Sequence, residues 1–383
     1  MLDHLAADRA RVANLEAQIL HLENTISTLK VERNLAQKRL DSYHYPVLSL
    51  PNEVTSEVFM HFLPDYPLRP PLTGIHSPTV LTHVCRRWRE IAVGTPGLWS
   101  VISLTSSVIP FELQVEIFDL WLSRSRSCPL SIDIVYYGPE VSVAIVRVFQ
   151  EASRLEDLEL DVFACDLPPT SVDVQLPLLR HLDLSLENPE PDRDIMLFHH
   201  APQLRTAVLN DSACMSIQLP WAQLTSVTFG PVYPHECVLV LQQTSNLLYC
   251  DLALLLGGSS DLIQLKLLRL ETLILRESEF PVVGYLDSLV LPALRSLSIP
   301  ELFLGTNSID ALTSFVVKSG CRLEELRITG RIETVQIYRQ AFPSIRMLSF
   351  HGWRSLGRTY TASDDSDAES ETQSISECDE LAG

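Results

Sequence analysis

Histidine and cysteine are the residues best suited to metal binding or nucleophilic chemistry at neutral pH, and three short spacings bring them together here. His199 and His200 are adjacent, and His83 and His235 each precede a cysteine by two positions. Adjacent side chains point to opposite faces of a strand, so we interpret the histidine pair as loop or cap residues. Neither His-x-Cys pair has a second pair nearby, as a zinc site requires. We therefore expect no metal.

Motifs that carry catalysis or cofactor binding are also missing from the sequence. It contains no G-x-x-x-x-G-K-[ST], G-x-G-x-x-G, H-E-x-x-H or G-x-S-x-G. Cys85 falls on the apolar face of a predicted helix, which does not suit a nucleophile. We expect no cofactor and no enzymatic activity, and a hydrolase or transferase ranks behind a binding function.

The composition is that of a globular, acidic protein with room for about two or three domains. Of its 383 residues 46% are hydrophobic and 20% charged, and the net charge of −19 argues against binding a nucleic-acid backbone. Residues 361–383 hold eight acids and no Lys or Arg, so we predict a disordered acidic tail there. The eight cysteines are scattered singly, which is typical of reduced, buried thiols.

The sequence offers no apolar signal-peptide core near its N-terminus, and charges interrupt every window long enough to cross a bilayer. We predict a soluble intracellular protein that works in the cytoplasm, the nucleus or both.

A leucine-rich hexad, L-x-x-L-x-L, recurs nine times and organises the second half of the chain. Successive hexads start 20 to 29 residues apart, a period typical of leucine-rich repeats. We expect each hexad to form a short strand whose last two apolar residues point inward, with neighbouring repeats stacked into one core. The hexads start at Leu155, Leu179, Leu204, Leu224, Leu247, Leu270, Leu294, Leu323 and Ile345. Residues 101–150 read as less regular units, two strands flanking one helix.

Charged residues at outward-facing positions of these strands are the candidate substrate-binding residues. The early repeats are acidic and the later ones carry arginine, which suggests that the early exposed face accepts a basic segment of a partner. A merely solvated face is the alternative. The candidates are Glu159, Asp183, Asp251, Arg276 and Arg327.

The first 42 residues carry a heptad pattern. With position a at Val12, Ile19 and Ile26, position d falls on Leu15, Leu22 and Leu29. β-Branched residues at a and leucine at d favour a parallel two-stranded coiled coil, so we predict a homodimer through this seam. An amphipathic helix folded back onto its own protein is the alternative.

Two short helices are predicted between residues 43 and 100. The first follows Leu50-Pro51, since proline suits the first turn of a helix, and the second begins after Pro78 and includes Leu81 to Ile91. A proline-rich segment, 64–77, lies between them. A unit of about 50 residues cannot hide this many apolar side chains, so another domain or another protein must cover them.

This region resembles an F-box. Leu50, Pro51, Glu53 and Val54 match the pattern L-P-x-E-[LIV], and the stretch from Val84 to Arg89 matches V-C-[RK]-x-W-R. The following "GTPGLW" and "WLSRS" stretches are similar to those of the F-box–repeat proteins abundant in mushroom-forming fungi. The proline-rich segment is longer than a compact F-box loop, a departure that puts the affinity for the adaptor in question.

The resemblance implies a substrate-recognition subunit of an SCF-type ubiquitin ligase, which docks a Skp adaptor and, through it, a cullin, and directs an unknown protein substrate to ubiquitin-dependent degradation. It implies adaptor contacts at Leu50, Pro51, Glu53, Val54, Val58, Leu63, Leu81 and Val84. Two alternatives remain: the helices only cap the repeats, or the protein is a non-ligase scaffold for protein–protein interaction.

The expected fold is therefore mixed α/β, in four segments. They are a coiled-coil helix (1–42), a small all-α F-box (43–100), an irregular leucine-rich-repeat-like solenoid of parallel strands with helical or loop returns (101–360), and the acidic tail (361–383).

Overall fold

The structure, a computed structural model, describes most of the chain. The described residues are 2–42, 46–65, 68–105, 109–138, 140–168, 174–188, 195, 197–255, 263–276, 282–330, 335–351 and 358–361. The predicted acidic tail lies outside them, apart from Thr361. The chain divides into two compact units: Met1–Phe62 with Leu81–Val93, and Leu63–Val80 with Gly94–Gly383. The proline-rich segment therefore belongs to the second unit.

Among the described residues, the α-helices of the first unit are one long helix and three short ones. Their bounds are α1 (Leu2–Ser42), α2 (Asn52–Met60), α3 (Leu81–Val84) and α4 (Arg86–Val93). The single helix predicted after Pro78 is wrong, because it is interrupted at Cys85. The Cys85 Sγ accepts a hydrogen bond from the Trp88 backbone N–H at 3.4 Å, so its thiol caps the start of α4 and the chain breaks there.

The second unit contains the remaining six α-helices of the described residues. They are α5 (Phe111–Ser125), α6 (Val141–Gln150), α7 (Asp211–Ser216), α8 (Pro234–Leu241), α9 (Ser308–Ser319) and α10 (Val335–Ala341).

The strands of the described residues all belong to the second unit. Their bounds are β1 (Val101–Thr105), β2 (Leu130–Val135), β3 (Leu155–Phe163), β4 (His181–Glu187), β5 (Thr206–Leu209), β6 (Ser226–Val232), β7 (Tyr249–Leu254), β8 (Leu265–Lys266), β9 (Thr272–Leu275), β10 (Leu289–Val290), β11 (Ser296–Pro300), β12 (Glu325–Thr329), β13 (Met347–His351) and β14 (Arg358–Thr361).

Twelve strands form one sheet in chain order, omitting only β8 and β10, which pair with each other. All neighbours in the large sheet are parallel until β14, which pairs antiparallel with β13. Parallel neighbours need a crossover segment between them, and helices or loops supply it here. The expected mixed α/β fold with parallel strands and an N-terminal helix is confirmed.

Each of the nine hexads lies on a strand of this sheet, and its last two apolar residues are buried. On β3 these are Leu158 and Leu160, and on β11 they are Leu297 and Ile299, each at most 1% exposed. The register aligns such residues from strand to strand, so they form two continuous apolar rows on one face. Burial of these rows stabilises the unit by about 25 cal/mol for each Å² of apolar surface removed from water.

A hydrogen-bonded turn precedes several strands, and it accounts for the sharp change in chain direction before them. The N–H of Leu179 donates to the carbonyl of Leu176 at 3.4 Å, and that of Leu294 to Leu291 at 3.2 Å. In both cases proline is the second residue of the turn, where its fixed φ suits the geometry and its missing N–H costs nothing.

Candidate functional site

The first candidate site is the exposed face of α2 and α3. In α2, Phe59 and Thr55 are buried, at 2% and 4% exposure. The Phe59 ring meets the Trp88 ring edge to face, with centroids 4.9 Å apart. Because α2 buries these two residues, its other apolar residues are left outside: Val54 is 45% exposed and Val58 is 56% exposed.

The segment before α2 is tied down by one arginine. The Arg87 guanidinium donates to the carbonyl oxygens of Leu48 and Leu50, the latter at 2.7 Å, and to Asn52 Oδ1 at 3.1 Å. Arginine presents several donors in a fixed planar fork, so one side chain fixes three acceptors. Leu50 and Pro51 therefore have a defined position at the start of the helix.

The predicted adaptor-binding residues divide by exposure. Pro51, Glu53, Val54, Val58 and Val84 are exposed, and Val84 reaches 57%. Leu50 and Leu63 are half-buried. Leu81 is only 6% exposed, so it contributes to packing and not to an open surface.

The predicted seam of α1 is also exposed. Each of its six residues, Val12, Leu15, Ile19, Leu22, Ile26 and Leu29, is between 49% and 59% exposed. A 41-residue helix with an uncovered apolar stripe is the arrangement that a second helix would complete.

The second candidate site is an acidic cluster on the polar face of β2, β3 and β4. Asp133, Glu159 and Asp183 are partners in the strand register, so they lie side by side across three strands. Neighbouring strands are about 4.8 Å apart, which brings three carboxylates close together. Asp157 and Asp161 flank Glu159 on the same face of β3.

Arg69, from the proline-rich segment, lies against this acidic cluster. Its Nη1 is 2.7 Å from Glu159 Oε2 and 3.8 Å from Asp133 Oδ2. The Ser103 hydroxyl donates to the same Asp133 oxygen at 2.8 Å. Arg69 thus contacts two carboxylates of the cluster, those of Glu159 and Asp133.

Burial, and after it the crowding of negative charge, raises the pKa of two of these acids. Burial raises the pKa of Asp183 to about 7, with further increases from Glu159, Asp133 and Asp161, partly offset by Arg69. Burial also raises the pKa of Asp133, against the lowering effects of the Ser103 hydrogen bond and Arg69. Both shifts have the direction expected where desolvation and like charges disfavour the ionised form.

The remaining predicted substrate-binding residues lie farther along the sheet. Asp251 on β7 is 7% exposed and accepts two hydrogen bonds from Arg276, both at 2.8 Å. These two residues are therefore partners of each other. Arg327 on β12 is exposed. The structure brings Glu159 together with Asp183, and Asp251 together with Arg276, but does not gather all five.

Sequence reasoning missed Arg69 and Asp133 as members of the cluster. Arg69 stands between Leu68 and Pro70 in a segment otherwise poor in charge, which was the only available signal. Asp133 occupies the outward position of "LSIDIV", and aligning that strand with the hexads would have placed it beside Glu159.

Comparisons with protein-family models, curated proteins and solved structures find no match for this chain. Over the part of the chain that the structure describes, no three His, Cys, Asp or Glu side chains are grouped to hold a metal ion. Within the same ranges, none of the helices has the length and apolar character needed to cross a bilayer.

Proposed function

We propose that this protein is an F-box substrate receptor of an SCF-type ubiquitin ligase. In this proposal α2 and α3 dock a Skp adaptor, which links the protein to a cullin. The sheet and its crossover segments act as an irregular leucine-rich-repeat solenoid that holds a protein substrate. The complex would work in the cytoplasm or nucleus.

The observation that carries the proposal is the exposure of Val54, Val58 and Val84 near the L-P-x-E-[LIV] and V-C-[RK]-x-W-R stretches. Val54 and Val58 are four residues apart on α2 and so lie on one face of that helix. Exposed apolar patches are characteristic of protein-binding surfaces. The chain order of the strands and the 20- to 29-residue spacing of the hexads support the repeat part of the proposal.

Co-purification with a recombinant Skp adaptor tests the proposal. Val54→Asp places a charge in the proposed interface and should abolish binding, because an unpaired charge is costly to bury. Val143→Asp is the matched control, since Val143 on α6 is a similarly exposed valine, at 52%. It should bind the adaptor as the wild type does.

A well-folded wild-type protein that fails to bind the adaptor would overturn the receptor function. The alternative would then be a scaffold that uses its repeats and α1 without a ligase. Equal adaptor binding by the two aspartate variants would instead exclude Val54, and with it the exposed face of α2, as the docking surface.

We further propose that α1 forms a parallel homodimer through its exposed seam. The six seam residues match the pattern for two strands, and the helix supplies about three uninterrupted heptads.

A further inference from the structure

A cavity of about 410 Å³ lies beside Arg69 within the second unit. One part of its wall is apolar, formed by Leu63, Leu68 and Val101, and another part is polar, formed by Glu156, Asp157 and His181. A site with an apolar wall and a carboxylate suits a long side chain that has an alkyl stem and a charged end.

The cavity lining holds two arginines and two acids, but Arg69 is shared with Glu159 and Asp133 of the neighbouring acidic cluster. Arg69 is engaged with Glu159, and Arg180, which also lines the cavity, is 3.4 Å from Glu156. Asp157 is only 9% exposed, and its Oδ1 has no hydrogen-bond partner among the described residues. A buried carboxylate oxygen without a partner is energetically costly, so a ligand that supplies a cation to this carboxylate gains affinity.

The unpartnered oxygen of Asp157 is matched by one on the next strand. Asp133 is 8% exposed, and its Oδ1 likewise has no hydrogen-bond partner among the described residues. Arg69 Nε is a buried donor that also lacks a partner among the described residues, so two unpartnered acceptors stand against one unpartnered donor around Arg69. This excess of acceptors favours an additional cation.

We propose that this cavity binds an arginine or lysine side chain of a protein partner. The stem lies along Leu63 and Leu68, and the cation meets the carboxylate of Asp157. Rotation about the soft final torsion of an aspartate presents either oxygen to the cavity. The binding site itself is independent of the ligase, and only the identification of the partner as a substrate rests on the proposed function.

Arg69 is an example, within this chain, of an arginine side chain that binds to the acidic cluster. Its guanidinium contacts Glu159 and Asp133 from a segment, residues 68–70, that has no regular secondary structure. Half-buried polar residues continue the row of Asp157 across the sheet, at His181, Thr206 and Ser226. They give a peptide backbone polar groups to lie against, which favours a protein segment over a free small cation.

Fluorescence anisotropy with the full chain tests the proposal. The probe is a fluorescein-labelled, capped heptapeptide with one arginine among glycine and serine residues. A second peptide carries citrulline, which has nearly the same shape as arginine but no charge. Asp157→Asn removes the proposed partner while keeping its shape, and Glu112→Gln removes an exposed acid of α5, away from the cavity lining.

We expect the arginine peptide to bind the wild type and Glu112→Gln equally. Asp157→Asn should weaken binding by about ten- to hundredfold, the loss typical of a charge-assisted hydrogen bond. Arg69→Gln should strengthen binding, because it leaves more carboxylates without a cation. Circular dichroism verifies that each variant is folded.

Three results would overturn the proposal: no binding by the wild type, equal binding of the citrulline peptide, or unchanged binding by folded Asp157→Asn. The binding of agmatine, a free cation, is measured for comparison with that of the peptide. If agmatine binds as tightly as the peptide, the assignment to a protein segment is wrong. None of these measurements involves the adaptor, so failure of the adaptor co-purification and failure of this proposal are observed separately.

Discussion

At the scale of single residues, the acidic cluster makes the free energy of unfolding depend on pH. Asp183 is surrounded by Glu159, Asp133 and Asp161, with Arg69 as the cation that faces them, and its pKa is raised to about 7. A group whose pKa is raised by folding binds its proton more tightly in the native state. The free energy of unfolding therefore falls as the pH rises from 3.8, the ordinary pKa of an aspartate, to about 7, its pKa in the native state.

Asp183→Asn should relieve this destabilisation. Asparagine resembles the protonated acid and does not ionise, so the variant should exceed the wild type in thermal stability at both pH 5 and pH 8, and by more at pH 8. The midpoint gain at pH 8 should be about 2–4 °C for each kcal/mol recovered. Differential scanning calorimetry at the two pH values measures it.

Glu187→Gln is the control for Asp183→Asn, because Glu187 is an exposed acid at the end of the same strand. It should change the midpoint little at either pH. An equal gain for Asp183→Asn at pH 5 and pH 8 would contradict the role assigned to ionisation.

At the scale of elements, neighbouring residues of α2 have separate tasks. Phe59 packs on Trp88, so Phe59→Ala should lower the free energy of unfolding of its unit by about 3 kcal/mol. Val58 is 56% exposed, so Val58→Ala should change stability little but weaken adaptor binding. Urea unfolding and adaptor titration measure the two effects. Loss of stability in Val58→Ala comparable to that in Phe59→Ala would contradict this division.

Two neighbouring residues of α1 allow a similar comparison of substitutions inside and outside the predicted seam. Ile19 lies at an a position and Leu20 beside it does not, yet both are exposed, at 55% and 61%. Ile19→Asp should raise the dimer dissociation constant at least tenfold, whereas Leu20→Asp should leave it nearly unchanged. Sedimentation velocity measures both, and equal effects of the two substitutions would exclude the predicted seam.

The elements differ in how far the sequence alone determines them. The strands were predictable because alternation of buried and exposed residues is a local pattern, visible in hexads such as that of β3. The break at Cys85 was not, since it depends on a thiol accepting one backbone N–H. The placement of Arg69 was not predictable either, because its carboxylate partner Glu159 lies 90 residues away in the sequence.

At the scale of the whole molecule, the net charge of −19 should speed the arrival of basic partners. Raising the salt concentration from 0.1 to 1 M shortens the screening length from about 10 Å to about 3 Å. The association rate constant of the arginine peptide should fall by about tenfold, while its dissociation rate constant changes less. Stopped-flow fluorescence separates the two constants. A salt effect confined to dissociation would contradict long-range steering.

The spacing of the strands also sets a length scale for any partner that contacts both Asp183 and Arg327. Asp183 on β4 and Arg327 on β12 belong to one transverse row, six strand intervals apart. At about 4.8 Å for each interval the separation is about 29 Å, which an extended peptide spans with about nine residues. A segment shorter than that reaches only one of the two residues. If the proposed function holds, the sheet would distinguish partners by the distance between their basic and acidic residues.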